Sequence, residues 1–357
     1  MHFRVDCFNM IKIQKLDKSR IEITGSIATD IFESYRRKAL ENINNEVTID
    51  GFRKGKVPEN ILVSKVGIMT ILEEMAELAL SQAYPKIVTE EKIDAIGHPE
   101  IQITKIATGN PLEYKIITTV TPEVTLGDYK KISKEVVDKK AGVVEVTKKD
   151  IEDAILNIRR SRADHAGHDH SRLSPADHEK LVDASMPAYD EAFVKSLGNF
   201  KDIADFEEKI KEMISEEKKV KERDKRRVLI SDKLIDTSTL EVPDLLIDSE
   251  VRRIEAQFGD DVARMGVKIE DYVKHAKKTI EDLRKEWRPH AEKKAKLQLI
   301  LNKIADTEKI KVDPKEIETE VENIVEHYKD ADREHAYVYA ETVLMNEKVF
   351  GFLEDAK

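Results

Sequence analysis

Three cations and one aromatic ring crowd into a single short stretch, Gly51-Phe52-Arg53-Lys54-Gly55-Lys56-Val57-Pro58. An exposed Phe beside Arg and Lys suits docking on an acidic surface with an apolar notch, or on phosphate. The glycines let the backbone turn where other residues would strain. Pro58 pre-sets φ for a first helical turn and gives up an N–H that would be unpaired there. The same spacing also fits a solvated connector with Phe52 folded back as a staple, so both readings stand at this level. A second cluster, His165-x-x-His168-x-His170 with His178, has a spacing that a metal can use. A short His-rich tract also reads as a plain polar loop, and no metal site is expected. The chain has no P-loop, no dinucleotide glycine motif and no His-Glu-x-x-His helix. No local motif suggests a nucleophile triad, so neither a catalytic residue nor a cofactor is expected. Acidic pairs are frequent, as solvated helix faces at this charge density require.

Both flanks of the basic loop carry helical periodicity. Asp30 to Val47 places Ile31, Tyr35, Ala39 and Ile43 on one stripe, with Thr29 or Asp30 as cap. Pro58 opens a second run to about Ala83. Before these, residues 10–29 alternate as two strands joined by Asp17-Lys18-Ser19-Arg20. After them, strands are expected at 100–105 and 112–121. Strand, helix, loop, helix and strand together make an α+β unit.

The chain has 357 residues, room for two or three domains. Charged residues make up 37% and aromatics 6%, a composition suited to long exposed helices. A net charge of −10 argues against bulk nucleic-acid binding. Any RNA contact must come from a local patch such as Arg36, Arg37, Lys38, Arg53, Lys54 and Lys56. Cys7 is the single cysteine, which rules out an intramolecular disulfide and a cysteine-based zinc site. No apolar run reaches about 18 residues and no apolar signal core stands at the N-terminus, so a cytoplasmic protein without a membrane partner is expected. The strand register begins at Met10, which is read as the native start in place of Met1.

The loop resembles the ribosome-docking loop of the trigger factors, bacterial chaperones of the nascent-chain exit. That pattern is Gly-Phe-Arg-x-Gly-x-x-Pro, matched by Gly51, Phe52, Arg53, Gly55 and Pro58. Residues 10–127 resemble the family's ribosome-binding domain over its whole length. Trp287-Arg288-Pro289, Val312-Asp313-Pro314 and Asn346-Glu347-Lys348-Val349 resemble its C-terminal domain. The resemblance spans about residues 10–162 and 186–357.

It implies an elongated multidomain chain: an α+β ribosome-binding domain (10–127), a basic linker (128–146) and a helix of the chaperone body (147–162). A short polar loop (163–187) then stands where the family carries an isomerase domain of the FK506-binding type. A helical C-terminal chaperone domain with projecting arms follows (188–357). The isomerase domain needs roughly a hundred residues and an aromatic core, which this loop cannot supply. The resemblance further implies docking of Gly51, Phe52, Arg53, Lys54, Gly55, Lys56 and Pro58 on the large ribosomal subunit near the exit tunnel. Arg53 and Lys54 would meet carboxylates of a ribosomal protein or rRNA phosphates. Unfolded nascent chains are the implied clients, held without ATP on dispersed apolar surface. Met213, Phe258, Met265, Tyr272 and Met345 are candidate contacts, since flexible and aromatic side chains suit varied sequences. The family pattern permits a homodimer of the free protein. A prolyl isomerase, an off-ribosome holdase or assembly chaperone, and a helical adaptor with one fixed partner are the rival readings.

Overall fold

The computed structural model describes residues 8–139, 145–163, 185–328 and 331–355. The histidine tract at His165, His168, His170 and His178 lies outside the described residues, as do Met1 and Cys7. The chain forms two compact units, each from two separate stretches: residues 1–127 with 238–308, and residues 128–237 with 309–357.

In the first unit, β1 (Phe8–Leu16), β2 (Arg20–Ile27), β3 (Ala95–Lys105) and β4 (Leu112–Val120) form an antiparallel sheet in the order β1-β2-β4-β3. Alternation along β2 and β4 sends Ile21, Ile23, Ile27, Leu112, Tyr114 and Ile116 to one face, where all are buried. Four helices cover that face: α1 (Thr29–Ser34), α2 (Arg36–Glu46), α3 (Glu59–Val66) and α4 (Ile68–Glu90). The alanines of α4 at 76, 79 and 83 are buried and allow close approach. The Tyr114 ring lies against β2 so closely that a Cβ at Gly25 would come within 2.6 Å of its hydroxyl. Burial pushes that hydroxyl up to about 12.

The two flanking helices expected around the basic loop are each divided. Tyr35 separates α1 from α2, and α1 begins from Ala28 with no side-chain cap, so neither Thr29 nor Asp30 has the expected role. Gly67, at φ 91°, separates α3 from α4. A left-handed residue cannot continue an α-helix. β3 starts at Ala95, earlier than expected, because its register skips between Ile96 and Glu100 and absorbs the Gly97-His98-Pro99 break.

The second stretch of this unit holds α9 (Asp244–Arg264), α10 (Ile269–His275) and α11 (Ile280–Glu308). Ile247 and Val251 of α9 pack on Ala291 and Ala295 of α11. α9 runs through Gly259, and α11 carries Pro289 inside an unbroken helix. α10 and α11 are separate helices, with Lys277 at φ 53° between them.

The basic stretch 128–146, expected as a linker, contains α5 (Tyr129–Lys139) of the second unit. Val136 and Ser133 are buried while Lys131 and Lys134 face solvent, so the lysines form one side of an amphipathic helix. Asp128 accepts the Lys131 N–H at 3.1 Å. α6 (Lys148–Ser161) starts with a reciprocal capping box: Thr147 Oγ1 accepts from Asp150 N–H and the Asp150 carboxylate accepts from Thr147 N–H. With Lys218 donating to it as well, the Asp150 carboxyl is held down to about 2. The unit continues with α7 (Glu191–Leu197), α8 (Ile203–Thr237), α12 (Pro314–His327) and α13 (Arg333–Glu354). Phe206 and Ile210 of α8 pack on Ile155 and Val194, and Ile317 and Val321 of α12 on Ala336 and Ala340 of α13. No helix among the described residues is long and apolar enough to cross a membrane.

The turn between β1 and β2 is pinned to the start of α9. Lys18 and Ser19 both take positive φ, 60° and 53°. Lys18 N–H donates to Glu241 at 2.9 Å and Lys18 Nζ pairs with Asp244 at 2.6 Å. Arg288 of α11 also pairs with Asp244, at 2.6 Å. The Lys18 hydrogen bond, with the Lys18 and Arg288 charges, holds the Asp244 carboxyl below the usual carboxylate range. Its stabilising effect is therefore present above about pH 4 and fades as pH falls through the lowered value. We expect Asp244→Asn to lower the melting temperature at pH 7. The gap to wild type should narrow in acid, as read by thermal unfolding across pH.

Candidate functional site: the basic loop

The loop between α2 and α3 is built by backbone geometry and one side chain. Gly51 sits at φ 86° and Gly55 at φ 78°. At Gly55 a Cβ would come within 2.7 Å of Asn45 Oδ1, so glycine is required there on two counts. Phe52 N–H donates to Ile49 O at 3.1 Å, Lys56 N–H to Arg53 O at 3.0 Å and Gly55 N–H to Asn44 O at 2.9 Å. Asn44, near the end of α2, then grips the loop's return: its Nδ2 donates to Val57 O at 2.9 Å and its Oδ1 accepts Val57 N–H at 3.1 Å. Val57 is buried in the core shared with α2 and α4, and Pro58 at φ −59° leads into α3.

Anchored this way, the loop presents Phe52, Arg53, Lys54 and Lys56 to solvent. Phe52 is 37% exposed and so is not folded back as a staple. Arg53, Lys54, Lys56 and Lys38 make no ion pair among the described residues. The expected patch is weaker on its α2 side. Arg36 pairs with Glu59 at 3.4 Å and Arg37 with Glu41 at 3.8 Å, so of the three α2 cations Lys38 alone has no ion pair among the described residues. Arg36 and Arg37 also line a groove of about 380 Å³ with Asn44, Val57 and Leu62.

The candidate client residues fall in different environments. Met213 and Met265 are exposed at 67% and 64%. Phe258 is half-buried, its ring 5.2 Å from Tyr272 and 5.3 Å from Trp287, so both Phe258 and Tyr272 belong to an aromatic cluster joining α9, α10 and α11. Met345 is half-buried. Exposed apolar side chains that the sequence reading passed over are Tyr328, Val338 and Tyr339 beside α12 and on α13. Their signal was present: Ala336 to Ala340 is an unbroken apolar run, and a helix cannot turn five successive residues to one core.

Asn44 is likewise absent from the loop motif, yet its side chain makes both hydrogen bonds that hold the loop's return at Val57. We expect Asn44→Ala to cost about 1–3 kcal/mol. It should speed amide exchange at Val57, whose N–H loses its acceptor, while Arg53 and Lys54 remain in place, a change that hydrogen-exchange mass spectrometry reads directly.

Comparisons with known proteins agree across the chain's length. The family model for bacterial trigger factor protein matches residues 10–158, and the model for the trigger factor C-terminus matches residues 202–353. Similar curated proteins include the trigger factor of Carboxydothermus hydrogenoformans, 27% identical over 96% of this chain and 98% of its own length. That of Moorella thermoacetica is 25% identical over 87% and 85%. A chain solved in work on promiscuous substrate recognition by the trigger factor chaperone has the same fold, with a TM-score of 0.54 at 17% identity, over 98% of this chain and 100% of that one. The two family matches leave only residues 159–201 between them, too few for an isomerase domain of roughly a hundred residues. Matched in both halves and arranged without that domain, the chain belongs to the trigger factor family of ribosome-associated chaperones.

Proposed function

We propose that this protein works in the cytoplasm at the large ribosomal subunit, near the exit tunnel, and shields emerging polypeptides without ATP. The observation that carries the reading is a loop closed by Asn44, with an exposed ring and with cations that make no ion pair among the described residues, at the family's docking motif. Arg53 and Lys54 meet carboxylates or rRNA phosphates there, and Phe52 fills an apolar notch. Because Asn44 and Val57 fix the backbone beforehand, little ordering entropy opposes docking. Exposed contacts between charges are screened as salt rises, so the docking is salt-sensitive.

Exposed apolar side chains receive the clients: Met213, Met265, Val338 and Tyr339 offer flexible or amphipathic contacts. The chain acts as a holdase and carries no prolyl isomerase activity. Support for that comes from the short interval between the two family matches.

Ribosome co-sedimentation at two salt concentrations tests the docking. Wild type is expected to pellet with ribosomes and Arg53→Ala/Lys54→Ala to stay in the supernatant, with the wild-type fraction falling at high salt. If neither protein pellets, the docking reading fails and an off-ribosome holdase takes its place. Refolding of a proline-limited substrate tests the second claim: no acceleration is expected, and a clear one makes the protein an isomerase.

A further inference from the structure

The helical layer covers the middle of the sheet and leaves a margin of the same face open. Cross-strand register aligns Ile13, Ile23, Ile116 and Ile101 in one row over β1, β2, β4 and β3. Ile23 and Ile116 are fully buried, whereas Ile101, at the β3 end, is 42% exposed. In the next row Tyr114 is buried and its β3 partner Ile103 is 40% exposed. β3 is the last strand on its side, and its outer backbone has no strand partner among the described residues. Glu100 to Lys105 is exposed throughout. Edge strands are usually protected by charges or irregular pairing. Here the register shifts fall on either side of the stretch, and Lys105 is drawn to Glu113 at 3.4 Å. Ile101-Gln102-Ile103 between them carries no charge.

We propose that the β3 edge captures clients by strand addition: an extended segment of an unfolded chain, apolar at alternate positions, pairs with Glu100–Lys105. A row of backbone donors and acceptors is complemented by another extended backbone. Ile101 and Ile103 lie two residues apart on one face, so they meet apolar side chains that are also two apart. A second copy of this chain is a poor occupant. So short a strand pair falls well below the ~1,200 Å² that a stable interface buries. Backbone pairing is also blind to most of the client's sequence, which suits a binder of many chains. The inference rests on the chaperone reading and adds a site to it.

The probe is a fluorescein-labelled eight-residue peptide of alternating valine and threonine with a lysine at each end, titrated against the full chain by anisotropy. Wild type is expected to bind it. The same peptide N-methylated at every internal amide should bind at least tenfold more weakly, and so should Ile101→Lys/Ile103→Lys with the parent peptide. Ile103→Thr keeps strand propensity and should weaken binding less. Because the N-methylated peptide is tested on wild type, a folding defect in a variant does not obscure the result. Equal binding of both peptides overturns the proposal, as does unchanged binding by a folded double-lysine variant. A concentration-dependent dimer abolished by Ile101→Lys would assign the edge to self-pairing instead. Suppression of aggregation of a denatured protein is measured alongside. A wild type that suppresses aggregation but ignores the peptide overturns strand addition alone, and one that does neither overturns the chaperone reading too.

Discussion

One buried contact layer holds the first stretch of the first unit together: the helices α1 to α4 against one face of four strands. Ile71, Met75 and Ile87 of α4 are fully buried there, opposite Ile23, Ile116 and Tyr114. Large buried side chains of this kind cost about 2–5 kcal/mol each when truncated, more than any surface ion pair supplies. α2 and α3 are held by the same layer through Ile43 and Leu62, and the basic loop is stretched between them. The loop's shape is therefore inherited from the core. Its glycines permit the turn, but Val57 and Asn44 connect it to the packing that makes it stiff.

Charge has a different role in the second unit. α8 is rich in charge, yet Arg227 is largely buried against Glu347 and Glu354 of α13, with its guanidinium 5.2 Å from the Phe350 ring. Lys218 joins α8 to Asp150 of the α6 capping box. Most other pairs on α8, such as Lys219 with Glu216 and Lys209 with Glu212, are exposed and local. Those contribute a few tenths of a kcal/mol each and chiefly keep a long helix soluble. Beside its buried apolar positions Phe206, Ile210, Ile230 and Leu234, α8 thus holds two or three charged side chains of tertiary consequence among many that have none.

Much of the fold was legible because its signals are local. The Thr147 capping box, the Asp313-Pro314 helix start and the alternation in β2 and β4 depend on residues a few positions apart. The exposure of Phe52 was one of two readings that a turn flanked by glycines allows, beside a ring folded back as a staple. What escaped depends on distant partners. α5 reads as a linker in sequence because lysines dominate it; its Ile132, Val136 stripe has meaning only once a neighbouring helix receives it. Asn44 seemed one polar residue among several in Asn42-Ile43-Asn44-Asn45, and only the fold aims it at Val57. Pro289 is a residue type that interrupts helices, yet α11 passes through it. The register shift beside Pro99 had no local cue beyond the Gly97-His98-Pro99 punctuation itself.

The assembly of each unit from two stretches bears on how the protein is made. Thr125 pairs with Thr239, and Lys18 reaches Glu241 and Asp244 across more than two hundred residues. All of residues 128–237 must leave the ribosome between the two halves of the first unit. At common synthesis rates that is a delay on the order of ten seconds. During it the sheet and α1 to α4 stand complete in sequence, while the β1–β2 turn lacks its partner. The second unit waits longer still, since α13 comes last. A protein that shelters unfinished chains is itself, during its own synthesis, an unfinished chain with long-range contacts left to close.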